Sequence, residues 1–364
     1  MEEKIIKIED LGYDEFFESN RVKLGLGDFQ IARVIAEHRG SYKIKNTEGE
    51  YLAKITGKQM FEAADREDFP AVGDWVAIAE ADKKQAIIHK VLPRRTLMKR
   101  RSSGKDETQL IATNIDVAFV IESVDRDYNL NRIERYFAIA RDGGIEPAVI
   151  LNKTDLISEE KLDLKLTEIK NRMGDVKIIP TSTLTEEGLG KLKEYITGRK
   201  TYCFLGSSGV GKSSLINKLL GEEIIKTEDI GARSGRGKHA TTVREMYFLV
   251  DGGIVIDNPG VREVGITDMS AGIDNLFDEI TALAENCKYV DCTHLHEPDC
   301  AVLSALESGK LDRGEYANYI NLKKESEYYE MTELRKKEKN RQFGRFVEKA
   351  KKDLKKYKHK DYGA

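Results

Sequence analysis

No apolar run in this sequence approaches the roughly 20 residues that a membrane-spanning helix needs. The strongest, from Ile115 to Ile121, spans seven residues and is itself interrupted by Asp116. Cysteine is scarce, with 4 in 364 residues, which excludes a small disulfide-dense secreted domain. The charged N-terminus lacks the apolar core of a secretory signal, so a reduced, cytoplasmic protein is expected. There is no internal repeat and no collagen-like period. Net charge is nearly absent too: 60 Lys+Arg stand against 63 Asp+Glu, a balance of -3, which at first sight argues against a nucleic-acid partner. What the chain does have is 40% apolar and 34% charged residues. That is too apolar for a wholly disordered chain and enough for real cores. The length suits two or three domains.

Patterning divides the chain. Residues 1–20 read as a polar leader. Over 21–92, five short alternating stretches (FQIARVIAEH, SYKIKN, EYLAKI, DWVAIAEA and QAIIHKVL) are separated by turn residues. They predict a small β-barrel, either of the oligonucleotide-binding (OB) kind or SH3-like. Residues 93–111 read as a linker. From 112 to 270 strands and helices alternate, predicting a parallel α/β domain. Residues 271–364 read as helical and charged.

The near-zero net charge conceals two basic regions. Arg94, Arg95, Lys99, Arg100, Arg101 and Lys105 occur with no acidic residue from Arg94 to Lys105. From Lys323 to the end, 15 Lys+Arg face 8 Asp+Glu. Distribution rather than net charge is what a polyanion meets, so RNA contact is expected, with the six linker residues as candidates.

Gly206, Ser207, Ser208, Gly209, Val210, Gly211, Lys212 and Ser213 fit G-x-x-x-x-G-K-[S/T]. They follow the apolar strand TYCFL, and a helix begins with Lys212, Ser213 and Ser214. Backbone N–H groups and the helix N-terminus suit phosphates. Lys212 is expected on the β and γ phosphates and Ser213 on Mg²⁺. Asn152-Lys153-Thr154-Asp155 ends another apolar strand and resembles the N-K-x-D element of guanine nucleotide-binding proteins, which implies guanine recognition here. A carboxylate at Asp155 accepts from the guanine N1–H and exocyclic amine, which adenine does not offer together. Asn152 would orient the base and the Lys153 stem would cover its face. Thr181 and Ser182, at the next strand end, suit base support, although Ser182 also fits a plain helix cap. The base elements precede the phosphate loop, the reverse of the order in ordinary small GTPases. Two half-domains or one circularly permuted domain would explain this; permutation is favoured because one sheet over about 112–265 has enough strands.

Asp257-Asn258-Pro259-Gly260 follows the strand GIVI. Asp257 is expected to bind Mg²⁺ through water, and the Gly260 N–H to sense the γ-phosphate. The intervening stretch GARSGRGKHATTVRE suits a first switch, with Thr241 or Thr242 on Mg²⁺ and γ-phosphate. Val261 stands where many Ras-like enzymes carry a water-orienting Gln, and an apolar side chain cannot activate water. His239, a backbone group or a partner must do so, and slow intrinsic turnover is expected. Cys287, Cys292, His294 and Cys300 form C-x4-C-x-H-x5-C, a donor set suited to structural tetrahedral Zn²⁺, with His296 as a competing ligand.

Together NKTD at 152–155, GSSGVGKS at 206–213, GRGKHATT at 235–242, DNPG at 257–260 and the Cys/His cluster resemble the RsgA/YjeQ family of circularly permuted GTPases that depend on the small ribosomal subunit. The resemblance spans nearly the whole chain. It implies an N-terminal OB-fold, a permuted GTPase domain and a C-terminal zinc-binding helical domain. It implies GTP hydrolysis stimulated by the 30S subunit during its late maturation, contact with 16S rRNA near the decoding region, and release after hydrolysis. His239 matches the family's catalytic histidine. GTP or GDP with Mg²⁺, one Zn²⁺, and a cytoplasmic monomer follow. The family stretch commonly has Thr after that His, where this chain has Ala240.

Overall fold

The structure is a computed structural model that describes residues 6–38, 40–63, 66–82, 84–101, 108–125, 128–225, 244–257 and 270–330. It opens with a single 3-10 turn, Ile8–Leu11, and helix α1, Glu15–Lys23. The Asp14 carboxylate accepts from the Phe16 N–H at 3.0 Å, satisfying one of the orphan donors of the first helical turn. Leu11, Tyr13 and Phe17 are buried against Trp75, and the Tyr13 ring meets the indole edge-on at 4.8 Å. This corrects the expectation of a polar leader. Three apolar side chains among acidic neighbours make the segment a strap closing one side of the barrel.

Strands β1 (Gln30–His38), β2 (Ser41–Lys45) and β3 (Glu50–Ile55) are followed by the short helix α2 (Gly57–Glu62), then β4 (Trp75–Asp82) and β5 (Gln85–Val91). Their order is β1-β2-β3-β5-β4, with β4 pairing back onto β1. β3 and β5 run parallel, and the other pairs are antiparallel. This closed order resolves the alternative in favour of the OB-like barrel. Ala32, Val34, Ile44, Ala53, Val76, Ile78 and Ile88 fill it. β1 is buried over six consecutive residues because both its faces are covered. Ala32 and Val34 point into the barrel, while Ile31 and Ile35 join neighbouring cores.

The stretch expected as a linker pairs with itself. β6 (Leu97–Arg101) and β7 (Thr108–Thr113) form an antiparallel ribbon, and Met98, Leu110, Ile111 and Ala112 are buried. Density of basic residues concealed this; Met98, Ile111 and Ala112 are enough to seat the ribbon on the core of the next domain.

That domain contains β8 (Val117–Ser123), α3 (Leu130–Asp142), β9 (Glu146–Asn152), α4 (Glu159–Met173), β10 (Ile178–Pro180), α5 (Leu189–Tyr195), β11 (Thr201–Leu205), α6 (Lys212–Leu220), β12 (Glu245–Phe248) and β13 (Ile254–Asp257). The sheet order is β10-β9-β8-β11-β13-β12, parallel except for β12. Every residue of β8 and β11 is buried, as parallel strands covered on both faces require. Ala118, Val120, Cys203 and Leu205 face one core; Val117, Phe119, Ile121, Tyr202 and Phe204 face the other. A single pairing, Ala36 with Glu245, joins β1 to β12, so barrel and domain share one sheet.

Helices α7 (Ser270–Leu276), α8 (Asp278–Ala284), α9 (Ala301–Glu307) and α10 (Arg313–Glu330) complete the described chain. They are fastened to α3 and α4. Arg135 forms a two-pronged ion pair with Glu325 at 2.9 and 2.7 Å. The buried Glu134 carboxylate accepts from Arg172 at 2.6 Å and from the Asn318 amide.

Candidate nucleotide site and metal centre

Permutation brings distant motifs to one end of the sheet. β11 ends at Leu205, and the chain turns sharply through Gly206 and Gly211, with φ of +151° and +102°. Both positions need glycine. A Cβ on Gly206 would lie 2.4 Å from the Ile121 carbonyl oxygen, and one on Gly211 would lie 2.2 Å from Asn152 Nδ2, closer than carbon atoms approach. α6 then begins at Lys212, aiming its N-terminus into the loop. The Lys212 ammonium donates to the carbonyls of Gly206 and Ser207 at 2.7 and 2.6 Å.

The residues expected to recognise the base are wired to this loop. Asn152 Nδ2 donates to the Val210 carbonyl at 2.8 Å, and Asn152 Oδ1 accepts from Thr181 Oγ1 at 3.0 Å. Both side chains are fully buried, where a satisfied polar network fixes geometry. Ser182 Oγ donates to Asp155 Oδ1 at 2.5 Å, and Asp155 itself is exposed. The Ser182 hydroxyl also accepts from the N–H groups of Leu184 and Thr185, but these lie in a turn; α5 begins only at Leu189, with Gly188 as its N-cap, so the helix-cap alternative does not hold and the Asp155 contact stands. Lys153 adopts a left-handed backbone, φ +63°, and its ammonium pairs with Asp125 at 2.9 Å. Asp125 was not singled out from sequence. It lies 27 residues before the motif and meets it only because β8 and β9 are neighbours.

Asp257 sits at the end of β13 with 4% exposure. Burial pushes its carboxyl above the usual aspartate range, and Lys212 pulls it back. The structure thus brings together 152–155, 181–182, 206–214 and Asp257. His239, Thr241, Thr242 and Gly260 lie outside the described residues.

Among the linker cations, Arg94 donates to both carboxylate oxygens of the buried Asp74 at 2.8 Å and to the carbonyls of Glu67 and Phe69. The fold takes up four of the five N–H groups of that guanidinium, which removes Arg94 from the candidate RNA contacts. Arg95 lies over the rings of Phe16 and Phe17 and pairs with Asp14. Lys99 pairs with Glu67 at 2.7 Å. Of Arg100 and Arg101 the backbone is described, as part of β6; Lys105 lies outside the described residues.

Cys287, Cys292, His294 and Cys300 place their ligand atoms within 4.8 Å of one another. A tetrahedron with metal–sulfur bonds of about 2.3 Å and metal–nitrogen bonds of about 2.0–2.1 Å has S···S edges near 3.8 Å and S···N edges near 3.5–3.6 Å. The Cys287–Cys300 sulfurs are 3.8 Å apart, and His294 Nδ1 lies 3.6 and 3.5 Å from them. The donor set therefore fits structural zinc. His294 takes a left-handed backbone, φ +58°, and its carbonyl accepts from the Tyr316 hydroxyl at 2.6 Å, tying the knuckle to α10. His296 is exposed and outside the cluster, which settles the choice for His294.

The RsgA GTPase family matches residues 91–267. The small ribosomal subunit biogenesis GTPase RsgA 2 of Lactiplantibacillus plantarum is 41% identical over 298 residues, 82% of this chain and 84% of that protein. This chain belongs to the RsgA/YjeQ family. The RsgA of Opitutus terrae is 39% identical over 333 residues, 88% of this chain and 90% of that one. Among solved structures, YjeQ from Thermotoga maritima superposes with a TM-score of 0.60 at 27% identity, covering 80% of this chain and 96% of its own. YloQ, a circularly permuted GTPase, shares the fold, with a TM-score of 0.56 at 21% identity. This RsgA-family chain is accordingly a permuted P-loop GTPase. Among its described residues no helix is long and apolar enough to cross a membrane.

Proposed function

We propose that this chain is a cytoplasmic, monomeric GTPase that acts in late maturation of the small ribosomal subunit. On this reading it binds 16S rRNA near the decoding region, hydrolyses GTP when the 30S subunit stimulates it, and leaves after hydrolysis. The observation that carries the reading is the buried Asn152–Val210 hydrogen bond. It makes guanine recognition and phosphate binding one rigid unit, in a chain whose relatives, 39–41% identical, are biogenesis GTPases.

Residue roles follow from placement. Asp155 accepts from the guanine edge while Ser182 holds its other face, and Asn152, Thr181 and the Lys153 stem shape the slot. The backbone of 206–211 and the first turn of α6, including Ser214, surround the phosphates, and Lys212 swings from its loop carbonyls to the β and γ oxygens. Ser213, Asp257 through water, and Thr241 or Thr242 would hold Mg²⁺, which neutralises charge on those oxygens when bound. The Gly260 N–H senses the γ-phosphate, and His239 positions the attacking water where Val261 cannot. Zinc held by Cys287, Cys292, His294 and Cys300 fixes the C-terminal knuckle. Arg95, Lys99, Arg100, Arg101, Lys105 and the basic tail meet rRNA phosphates.

The test is GTP turnover with and without purified small subunits, with Lys212→Ala as control. Stimulation in the native chain and none in the variant is expected. Equal turnover with and without subunits would defeat the reading. Replacing His239 by Ala should lower turnover far more than GTP binding; equal loss of both would reassign it to binding.

A further inference from the structure

The ion pair between Lys153 and Asp125 has two unusual features. Its geometry is set by strand register: Ser123 pairs with Asn152 across β8 and β9, and the Val124 N–H donates to the Asn152 carbonyl at 3.1 Å. The carboxylate is also held from behind. Ser123 Oγ donates to Asp125 Oδ1 at 2.8 Å, while Oδ2 takes the Lys153 ammonium at 2.9 Å. Both ion-pair side chains are mostly covered, at 20% and 27% exposure. A free surface pair would hold neither partner in one place.

Resting on the guanine-nucleotide reading above, we infer that Asp125 is a positioning residue for nucleotide binding. With its ammonium tethered to Asp125, the Lys153 stem lies along one wall of the base slot before the nucleotide arrives. Ordering a lysine side chain costs rotamer entropy that binding must otherwise supply. Asp125 touches Lys153 rather than the reacting phosphates, so its effect belongs to affinity and residence time.

The experiment measures GDP and GTP dissociation constants and steady-state turnover on the full chain. Asp125→Ala should weaken both nucleotides by a similar factor of about three to ten, with KM rising several-fold more than kcat falls. Asp125→Asn, which keeps an acceptor for the ammonium, should recover part of the loss. In a Lys153→Ala background the Asp125 substitutions should have no further effect. Native affinity in Asp125→Ala, or a loss undiminished in the Lys153→Ala background, would overturn the inference. If Asp125→Ala fails to fold, Asp125→Asn in the two backgrounds gives the same decision. ATP competition on the native chain separates the two levels. ATP binding as tightly as GTP would remove the guanine reading itself, whereas a guanine-specific chain indifferent to Asp125 would remove only this inference.

Discussion

Arg33 shows how much one side chain can hold. It is 1% exposed and lies over the Trp75 ring. It donates to the carbonyls of Leu11, Gly73 and Asn114 and to Thr201 Oγ1, tying strap, barrel and β11 together. Burial pushes its guanidinium down to about 10, still charged at neutral pH. Arg33→Ala takes the Arg33 donor from the Leu11 and Asn114 carbonyls and Thr201 Oγ1, while the Gly73 carbonyl keeps Asn114 Nδ2, and should cost about 2–5 kcal/mol, read as a lower thermal midpoint. Asp155 makes a contrasting prediction about binding rather than folding. Asp155→Asn replaces an acceptor with a donor. GTP affinity should fall by at least about tenfold, and xanthosine triphosphate, whose C2 carbonyl accepts from that amide, should gain. Competition binding checks both; an unchanged GTP/XTP ratio would exclude Asp155 as the base reader.

Elements were legible where local pattern and tertiary surroundings agreed. The five barrel strands, the buried β8 and the helix Glu159–Met173 follow from period and caps alone. Three features were not legible. The OB-like order depends on β3 meeting β5, a contact no local pattern contains. The β6–β7 ribbon was hidden by its cations, and the strap by acidic neighbours around Leu11, Tyr13 and Phe17. The Cys/His cluster was legible because zinc demands particular residue types at close spacing; Asp125 escaped because its partner is remote in sequence. Two element-scale outcomes are expected. A strong zinc chelator should loosen the knuckle before α9 and lower the melting temperature, and Cys292→Ser should lose the metal while retaining GTP binding; metal analysis and nucleotide titration check this. At the start of α10, burial raises the Glu315 carboxyl to about 7, with Glu134, Glu279 and Asp312 adding to the rise and Arg172 opposing it. A carboxyl raised on folding favours the native state at low pH, and that contribution is lost as pH climbs from the ordinary glutamate range to about 7. Glu315→Gln should therefore gain stability relative to the native chain across that window. Parallel melting curves would refute this.

At the scale of the whole molecule, a near-neutral chain is expected to behave as a polyanion binder because its positive charge is segregated. Affinity for small subunits should fall steeply with salt, and truncation after Glu330 should flatten that slope; an unchanged slope would place the contacts elsewhere. Permutation has a different consequence, which concerns the order of synthesis. β8 is buried along its whole length, and one of its edges pairs with β11, about 80 residues later in the chain. At roughly 5–20 residues per second, that edge waits on the order of 4–16 s on the translating ribosome before its partner exists. β1 waits longer still for Glu245. Ordinary small GTPases make the phosphate-loop strand first and build outward from it. Here the centre of the sheet arrives late, so the nascent chain carries an open, apolar strand edge across that interval, an exposure that the unpermuted order avoids.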